Sequence, residues 1–578
     1  MIRNPRRLVR LAAVGLAGAL SLAACSAPDV ITPGTRPNQP TTTAAPSVSP
    51  ETDPAKLALP LTKLPGYTAP TSLGGGQFSR EAAGGGTVSW SVLDGANKVI
   101  TATAGNPPVA FGDASTYSSV PGVLAFRGNN YRNAPAYGTA DIKEKKLSIA
   151  WTHDTGDVKT EKSYWAGAGW TGQPLLVNWP KATKEAMGLS AAQIADPNFV
   201  EVVYSVVDGK VYRMDLATGT DTKPPLDTGF GFKGSGSIDP RGYPLLYVGM
   251  GLNENGGTKD APWRYRIIDL IQNKDVAGID GPDAAAPRTD WGAFDSSPLI
   301  NAATDTLIEP AENGLVYKLK LNSSFDAAAK TVSVAPTVTK LRYTTTGEKI
   351  RHGIESSAAA YRNLMFAGDN DGYIVCWDAT TLQVVWTAAT GDDTDATPVL
   401  TVEDGHPYLF VGNEYDKRGQ AGGKSGPITI QKLDALTGAQ MWKYEIDAVF
   451  NDAVNGGTMA TPAIGFGEVS DLVFFNIAKT LNDKTGTVVA LDTKTGTVAW
   501  KRDMAFGWSS PVLVQGDDGH VYGVLGDSNG VLHLFNPATG ADYSTLQLEK
   551  NIEASPAVYG NMLVVGTYAK KLYGIKLS

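Results

Sequence analysis

The chain has 578 residues, of which 42% are hydrophobic and 19% are charged, and its formal net charge is -8 at pH 7. This hydrophobic content is enough to bury a large core, so the composition excludes wholesale disorder, and the negative charge disfavours nucleic-acid binding. The 64 glycines and 35 prolines indicate frequent turns rather than a helical bundle.

Residues 1–24 have the pattern of an export signal. A basic segment precedes the apolar residues 11–20, a run too short for a permanent transmembrane helix. It ends in Leu-Ala-Ala-Cys at residues 22–25, which resembles the lipobox of bacterial lipoproteins. The resemblance implies that Cys25 carries a diacylglyceryl group and anchors the mature chain to a membrane. We therefore expect an exported lipoprotein that faces the extracytoplasmic side, at the cell surface or in the periplasm; an ordinary secretory signal is the alternative.

Two further segments precede the repeats. Residues 25–60 are rich in proline, threonine and serine without hydrophobic periodicity, which predicts a disordered tether. Residues 61–118 contain short alternating runs, such as residues 87–93, that predict a β-rich N-terminal extension. The chain has two cysteines, so acylation of Cys25 leaves Cys376 without a disulfide partner, and the fold must be stabilised by packing.

A phrase recurs beyond residue 119: an apolar residue, Asp, two spacers, Thr-Gly, and a Trp eight residues after the Asp. Residues 433–442 and 491–500 are complete copies, and residues 377–386 lack the glycine. We expect the aspartate to cap a hairpin turn, the glycine to adopt a positive φ, and the tryptophan to lie where neighbouring sheets meet. The residues that define this repeat are Asp378, Asp434, Asp492, Trp151, Trp386, Trp442 and Trp500.

A second phrase, a small residue, Ser or Thr, then Pro, lies upstream of each copy and suits the crowded inner strand of a radial sheet. Counting these units predicts an all-β, eight-bladed β-propeller of four-stranded antiparallel blades over residues 119–578. The last unit stops after its third strand, and residues 147–154 resemble the missing one. We therefore expect the propeller to be closed by pairing of this N-terminal strand with the last blade.

These phrases, together with Phe126-Arg127-Gly128-Asn129, resemble the PQQ-like repeat propellers. That superfamily includes the quinoprotein alcohol dehydrogenases and the outer-membrane assembly lipoprotein of the BAM complex. The resemblance covers roughly residues 120–578 and implies the fold. It does not choose a function, because one fold hosts many activities.

The residue before each small-Ser-Pro phrase should point toward the axial opening of a propeller. Four of these six candidate residues are acidic, so they would focus negative potential and favour a cation, a metal or a basic peptide segment. The alternative is that the carboxylates only accept hydrogen bonds from backbone donors of the next blade. The candidates are Asp295, Glu355, Asp395, Met459, Trp508 and Glu553.

Three functions stay open. The favoured prediction is a monomeric, lipid-anchored, non-catalytic binding or scaffolding module for a protein partner in the cell envelope, with no predicted cofactor and no catalytic residue. The resemblance also allows a quinoprotein dehydrogenase of alcohols or sugars with PQQ and calcium, although the chain lacks the adjacent cysteines that many such enzymes use. The third is a carbohydrate- or metal-binding envelope lipoprotein, for which the sequence identifies no metal-ligand set.

Overall fold

The computed structural model describes residues 50–578 apart from residues 83–85, 102–104, 106, 160–162, 169–171, 254–261, 346–351 and 452–454. The export signal, Cys25 and the tether up to residue 49 lie outside the described residues. Within the described part, no helix combines the length and the hydropathy needed to cross a membrane. The helices there are α1 (Pro54–Leu57), α2 (Lys181–Ala186), α3 (Ala191–Ala195), α4 (Lys417–Gln420) and the 3-10 turns Leu61–Lys63, Ala114–Thr116 and Gly467–Val469.

The N-terminal region contributes strands to several sheets instead of forming one sheet of its own. Its first three strands lie in the predicted extension, and the next six lead into the repeats. These strands are β1 (Thr71–Gly74), β2 (Gln77–Glu81), β3 (Thr87–Asp94), β4 (Gly122–Val123), β5 (Ala136–Tyr137), β6 (Thr139–Ala140), β7 (Leu147–Asp154), β8 (Asp157–Lys159) and β9 (Tyr164–Ala166).

Seven blades follow, and each is built on a consecutive run of strands. The first blade has β10 (Leu175–Val177), β11 (Glu201–Ser205), β12 (Lys210–Asp215) and β13 (Asp221–Asp227). The second has β14 (Ser237–Ile238), β15 (Leu245–Gly249), β16 (Arg264–Asp269) and β17 (Lys274–Asp280). The third has β18 (Leu299–Asn301), β19 (Thr306–Pro310), β20 (Leu315–Lys320), the small hairpin β21 (Ser324–Asp326) and β22 (Thr331–Ser333), and β23 (Thr337–Thr344).

The remaining blades continue the pattern. The fourth has β24 (Ala359–Tyr361), β25 (Leu364–Gly368), β26 (Tyr373–Asp378) and β27 (Val384–Ala389). The fifth has β28 (Val399–Glu403), β29 (His406–Gly412), β31 (Ser425–Asp434) and β32 (Gln440–Val449), while the short β30 (Glu414–Tyr415), which lies between β29 and β31 in the chain, pairs with the sixth blade. The sixth has β33 (Gly456–Gly457), β34 (Ala463–Ile464), β35 (Leu472–Asn482), β36 (Thr485–Asp492) and β37 (Val498–Ala505). The seventh has β38 (Val512–Gly516), β39 (Val521–Gly526), β40 (Val531–Phe535) and β41 (Asp542–Gln547).

A closing sheet joins both ends of the described propeller. It contains β42 (Ala557–Tyr559), β43 (Met562–Thr567) and β44 (Lys571–Leu577). Strand β7 pairs antiparallel with β44, with Trp151 opposite Gly574, and β5 pairs parallel with β42. The outer strand that the last unit lacks is therefore supplied by residues 147–154, so this sheet has no free outer edge at β44.

The prediction of eight blades of four antiparallel strands is wrong. Seven blades come from consecutive strands and the closing sheet is a composite; these eight sheets contain four to seven strands each, and β8–β9 and β21–β22 form separate two-stranded sheets. Most of the extra strands come from the N-terminal region: β3, β2 and β1 extend the third blade beyond β23, β4 joins the first blade, and β6 pairs parallel with β38. The sixth blade instead gains β30, which pairs with β33. Strands as short as β5 and β6 carry no hydrophobic period, so the sequence pattern did not reveal them.

Apolar side chains from neighbouring sheets form the core. Leu364, Phe366 and Ile374 of the fourth blade pack with Leu409 and Val411 of the fifth. Equivalent clusters lie between the other neighbouring sheets, for example between the fifth and sixth blades and between the seventh blade and the closing sheet. Burial between adjacent sheets makes each blade stable only beside its neighbours, as in other repeat folds.

The outer rim, defined here as the Asp-x-x-Thr-Gly turns and the Trp side chains that cover them, explains the first phrase. The indole of Trp386 donates a hydrogen bond to the carbonyl of Ala435 in the turn of the next blade, and a Cβ on Gly438 would lie 2.7 Å from its ring. Gly438 has a φ of +75°, so glycine satisfies both the turn and the close approach. The same arrangement joins Trp151 to Gly219, Trp442 to Gly496 and Trp500 to Gly540.

The aspartate of each turn accepts hydrogen bonds from backbone N–H groups that follow it. Asp434 accepts from Leu436 and Thr437, Asp492 accepts from Lys494 and Thr495, and Asp378 accepts from the N–H of Thr381. These Asx-type bonds hold the turn that the indole covers.

A ring of hydroxyl groups, defined here by the Ser and Thr residues of the second phrase, links the inner strands. The N–H of Ser297 donates to the hydroxyl of Ser357, and the N–H of Ser357 donates to the hydroxyl of Thr397. Likewise the N–H of Thr461 donates to Ser510, and the N–H of Ser510 donates to Ser555. Small hydroxyl side chains are therefore needed because each one accepts a backbone donor from the preceding blade.

The Phe-Arg-Gly-Asn segment crosses this inner ring. The guanidinium of Arg132, just beyond the segment, donates to the carbonyls of Ala358, Phe126 and Ser297 and is fully buried. Phe126 lines the narrow inner end of the axial space.

Candidate axial binding site

The axial cavity lies where the loops before the inner strands converge. Its wide part has a volume of about 960 Å³ and is lined by Glu355, Asp395, Met459, Trp508 and Glu553, among others. A narrower part of about 60 Å³, lined by Asp295 and by hydroxyls of the ring, shares Glu355, Asp395 and Met459 with the wide part. The structure thus brings the six sequence-predicted residues to one axial space, and their binding role stays a prediction.

Position along each blade explains this convergence. Asp295, Glu355 and Asp395 each lie two residues before the Ser or Thr of the hydroxyl ring, ahead of β18, β24 and β28. The ring hydroxyls already accept hydrogen bonds from the N–H groups of the inner strands, so the carboxylates are not needed as acceptors for those N–H groups. Glu355 instead accepts from the amide of Asn370 at 2.9 Å, and Glu553 accepts from the amide of Asn551 at 2.7 Å.

One side of the cavity, the paired half, holds two carboxylates that face cations. The ammonium of Lys233 lies 3.1 Å from Asp295, and the guanidinium of Arg288 lies 3.1 Å from Glu312. Burial lowers the pKa of Lys233, but Asp295, Glu312 and Glu355 outweigh it and raise that pKa overall. Burial and the neighbouring Glu312 raise the pKa of Asp295 to about 6 despite the ammonium of Lys233.

The other side, the acidic half, is lined by Glu355, Asp393 and Asp395, with the buried carboxyl of Glu414 behind them. Burial raises the pKa of Asp395 to about 7, with Glu312 as a further cause, and burial together with Asp395 raises the pKa values of Glu355, Asp393 and Glu414 well above their usual range. One carboxylate oxygen each of Asp393, Asp395 and Glu414 has no hydrogen-bond partner among the described residues. This half therefore concentrates carboxylates with few local donors.

Aromatic side chains and a thioether form much of the remaining wall. Trp165, Phe450, Trp508 and Tyr568 line the wide cavity together with Met459. The ring of Trp508 lies 5.7 Å from that of Phe506, and burial is the largest cause that raises the pKa of the Tyr568 hydroxyl. Aromatic faces beside carboxylates are suited to organic cations.

Sequence reasoning missed several lining residues. Glu312 and Asn370 lie in the turns after the second strands of their blades, and Asp416 follows β30 in the polar, glycine-rich insertion at residues 413–424. In an up-and-down blade, the turn after the second strand lies at the same end as the residue before the first. A polar residue just after the second strand of a blade was therefore the sequence signal for these lining residues. Neither of the two recurring phrases includes that position.

Among the described residues, two groups have a spacing that could hold a metal ion. Oxygens of Asp295, Glu312 and Glu355 lie within 4.8 Å of one another, but Lys233 and Arg288 already pair with two of these carboxylates. His352 forms the second group with Asp369 and Asp371. That group is an internal network, since His352 pairs with Asp371 at 2.6 Å and Asp369 accepts from the hydroxyl of Tyr343 at 3.0 Å.

The cavity does not fit PQQ. PQQ carries carboxylates of its own, which need cationic partners, and Lys233 and Arg288 already pair with Asp295 and Glu312. The one described cysteine, Cys376, is buried between the fourth and fifth blades instead of lining the cavity. No redox step is therefore derived for these residues.

Comparison with known proteins addresses the fold. A family profile described as outer membrane protein assembly factor BamB matches residues 484–577. No curated protein matches the chain. Among solved structures, BamB from Moraxella catarrhalis is 18% identical, with 65% of this chain and 93% of that chain covered and a TM-score of 0.44.

Two quinohemoprotein alcohol dehydrogenases are also similar. ADHIIG from Pseudomonas putida HK5 is 13% identical, with 79% of this chain and 80% of that chain covered and a TM-score of 0.51. The enzyme from Comamonas testosteroni is 14% identical over the same shares, with a TM-score of 0.48. At these identities the likeness supports the fold alone. The predicted resemblance is confirmed: residues 484–577 match the BamB-type family profile, and the described residues have the β-propeller fold of these structures.

Proposed function

We propose that the chain is a non-catalytic binding or scaffolding module of the bacterial cell envelope, anchored through a lipid on Cys25. Its axial cavity binds a positively charged segment of a protein partner. The observation that carries this proposal is the acidic half, in which Glu355, Asp393, Asp395 and Glu414 converge without a matching number of cations. A concave surface of one charge sign concentrates oppositely charged ligands.

The energetics of the cavity favour a ligand over a purely structural role. Carboxylates that burial and like charges hold above their usual pKa destabilise the folded chain when they ionise. A bound cation would relieve this repulsion, which is why perturbed carboxylates in a cleft indicate a binding site. The volume of about 960 Å³ admits a few side chains of a partner segment.

The envelope address rests on the leader and lipobox of residues 1–25 and on the profile match to a protein described as an outer membrane assembly factor. Replacement of Cys25 tests the anchor. Cys25→Ser should move the chain from the membrane fraction to the soluble exported fraction, because the acyl chains supply the membrane affinity. Cys376→Ser, at a buried core position, should leave the chain in the membrane fraction; equal fractionation of the two variants would contradict a lipid on Cys25.

Site-specific photo-crosslinking in intact cells tests partner binding. A photoreactive residue at position 164 lies on the cavity wall, and one at position 441 lies on the outer rim; the native Tyr164 and Met441 are 53% and 52% exposed. Position 164 should give a defined protein adduct that position 441 does not give. The adduct should weaken when Asp395→Asn and Glu355→Gln are added. Identical adducts at both positions, or an adduct that ignores these substitutions, would count against the proposal.

A further inference from the structure

We infer that the acidic half of the axial cavity is a binding site for one organic cation, an alkylammonium or guanidinium group, held between carboxylates and the aromatic wall. This inference rests on the proposed function in one respect: a lysine or arginine of the partner is one source of the group. A free polyamine is the other source, and the two share the same chemistry.

The protein's own cations show the recognition mode in the paired half. The ammonium of Lys233 lies 3.1 Å from Asp295 and 5.6 Å from the centre of the Trp165 ring. The guanidinium of Arg288 lies 3.1 Å from Glu312 and 4.8 Å from the centre of the Trp291 ring. Each cation thus has one carboxylate and one indole face, which combines ion pairing with a cation–π contact.

The acidic half has the same ingredients with the charge balance reversed. Asp393, Asp395 and Glu414 lie together, and the backbone N–H of Glu414 donates to the carbonyl of Asp393 at 2.8 Å. After burial, the groups that act most on Asp393 are other carboxylates: Asp395, Glu414, Glu355 and Asp416. Trp508 and Met459 line the same space. A cation placed here would meet carboxylates and an aromatic face, as Lys233 does across the cavity.

Asn370 gives an independent indication of the ligand. This side chain is 4% exposed, lines the wide cavity, and donates from its amide nitrogen to Glu355 at 2.9 Å. Its amide oxygen has no hydrogen-bond partner among the described residues. A buried acceptor left in this state costs about 1–3 kcal/mol. An ammonium or guanidinium group brings several N–H donors and no acceptor, so it can satisfy the Asn370 oxygen and the carboxylates together.

A hard metal ion fits this half less well than an organic cation does. The carboxylates with metal-like spacing are Asp295, Glu312 and Glu355, and the first two already face Lys233 and Arg288. Calcium takes six to eight oxygen ligands at short range. Trp508, Phe450 and Met459 in the wall of this cavity of about 960 Å³ offer no oxygen ligand, and the lining carboxylate of Asp416 already accepts from the amides of Gln420 and Asn455.

Calorimetric titration of the purified full chain at low salt tests the site. The probes are spermidine for a free amine, the peptide acetyl-Gly-Arg-Gly-amide for a protein side chain, and calcium chloride for a metal. At least one organic probe should bind and release protons, seen as a heat that depends on the ionisation enthalpy of the buffer, because the cation displaces protons held by the acidic half. Asp395→Asn should weaken this binding by about tenfold or more.

Asp447→Asn is the matched control, since Asp447 is an exposed carboxylate on the outer strand β32 that does not line the cavity, and its replacement should change the affinity less than about twofold. If Asp395→Asn fails to fold, Asp393→Asn serves in its place. Spermidine binding alone identifies a free amine as the source, and peptide binding alone identifies a side chain; either supports the site. Absence of binding for both organic probes, or calcium binding that depends on Asp395 and excludes them, overturns the inference.

The crosslinking result separates this inference from the proposed function. A defined adduct at position 164 without any binding of the organic probes would retain partner binding and reject the organic-cation site. Probe binding with no Asp395-dependent adduct would retain the site and reject the protein partner.

Discussion

The outer rim and the axial cavity are both built from residues that recur in successive blades. They differ in how many of their polar groups have a hydrogen-bond partner within the chain. At the rim, Trp386, Trp442 and Trp500 each donate to a carbonyl of the next turn, and the turn aspartates accept backbone N–H groups. At the axis, Asp393 and Asp395 retain unpartnered oxygens. The rim thus completes its interactions within the chain, whereas these axial oxygens have no partner among the described residues, and this difference is the reason why we propose that the axis binds a ligand.

The largest expected effect breaks the rim. Gly438→Ala combines a positive φ of +75° with a Cβ that would lie 2.7 Å from the Trp386 ring, so the backbone is strained and the ring must move. We expect a loss of about 3–4 kcal/mol in the free energy of unfolding. Chemical denaturation of the full chain followed by circular dichroism measures it.

Gly405→Ala separates the two causes. Gly405 has a φ of +81°, but a Cβ there would meet no atom within 4 Å, so only backbone strain should remain, about 1 kcal/mol. If Gly438→Ala costs no more than Gly405→Ala, the contact between the indole and the turn does not stabilise the rim.

The contrast also explains what the sequence could predict. The rim could be predicted because Asp434, Gly438 and Trp442 recur at fixed spacing, and each type has one physical task in a turn or at a sheet boundary. The axial positions Asp295, Glu355 and Asp395 could be located because they precede a recurring Ser-Pro or Thr-Pro phrase, except that Glu355 precedes a Ser-Ser-Ala variant of it.

The rest depended on contacts that no local pattern encodes. Asp416 lines the cavity from the polar insertion at residues 413–424, and Lys233 pairs with Asp295 across 62 positions of sequence. The parallel strands β5 and β6 have two residues each, so their pairing depends on where the closing sheet and the seventh blade already lie. Long-range placement of short segments therefore determined both the strand number of the sheets and the charge balance of the cavity.

The free energy of unfolding should depend on pH in opposite ways at the axis and at the rim, and this effect is of intermediate magnitude. Burial raises the pKa of Glu553 to about 8, with Asn551, Tyr568 and Lys479 as the facing groups. A carboxyl whose folded pKa is raised stabilises the fold below its unfolded pKa, and this stabilisation is lost as pH rises through about 8. The free energy of unfolding should therefore fall from pH 5.5 to pH 8.5, with Glu553 contributing about 2–3 kcal/mol of the fall.

At the rim, the change of stability with pH has the opposite sign. For Asp492, hydrogen bonds from Thr495 and Lys494 outweigh burial and lower the pKa, so its stabilisation is present at neutral pH and is lost only as pH falls through the acidic range. Glu553→Gln should flatten the slope of the free energy of unfolding against pH between pH 5.5 and pH 8.5. Glu445→Gln, at an exposed position on β32, should leave that slope unchanged. Equal slopes in the two variants would show that burial does not perturb Glu553.

The smallest expected effect concerns the hydroxyl ring, which lies at the axis yet behaves as the rim does. Ser357 accepts the N–H of Ser297 at 2.9 Å, so Ser357→Ala leaves a buried donor unpaired and should cost about 1–2 kcal/mol. Ser357→Thr keeps the acceptor, as Thr397 does in its blade, and should restore most of the stability. Denaturant midpoints of the wild-type chain and the two variants give the comparison.

Because the hydroxyl ring is satisfied within the chain, Ser357→Ala should leave cation affinity at the acidic half within about twofold once the chain is folded. A large loss of cation affinity would instead mean that the hydroxyl ring belongs to the binding site, so that the site extends beyond Asp395 to the ring.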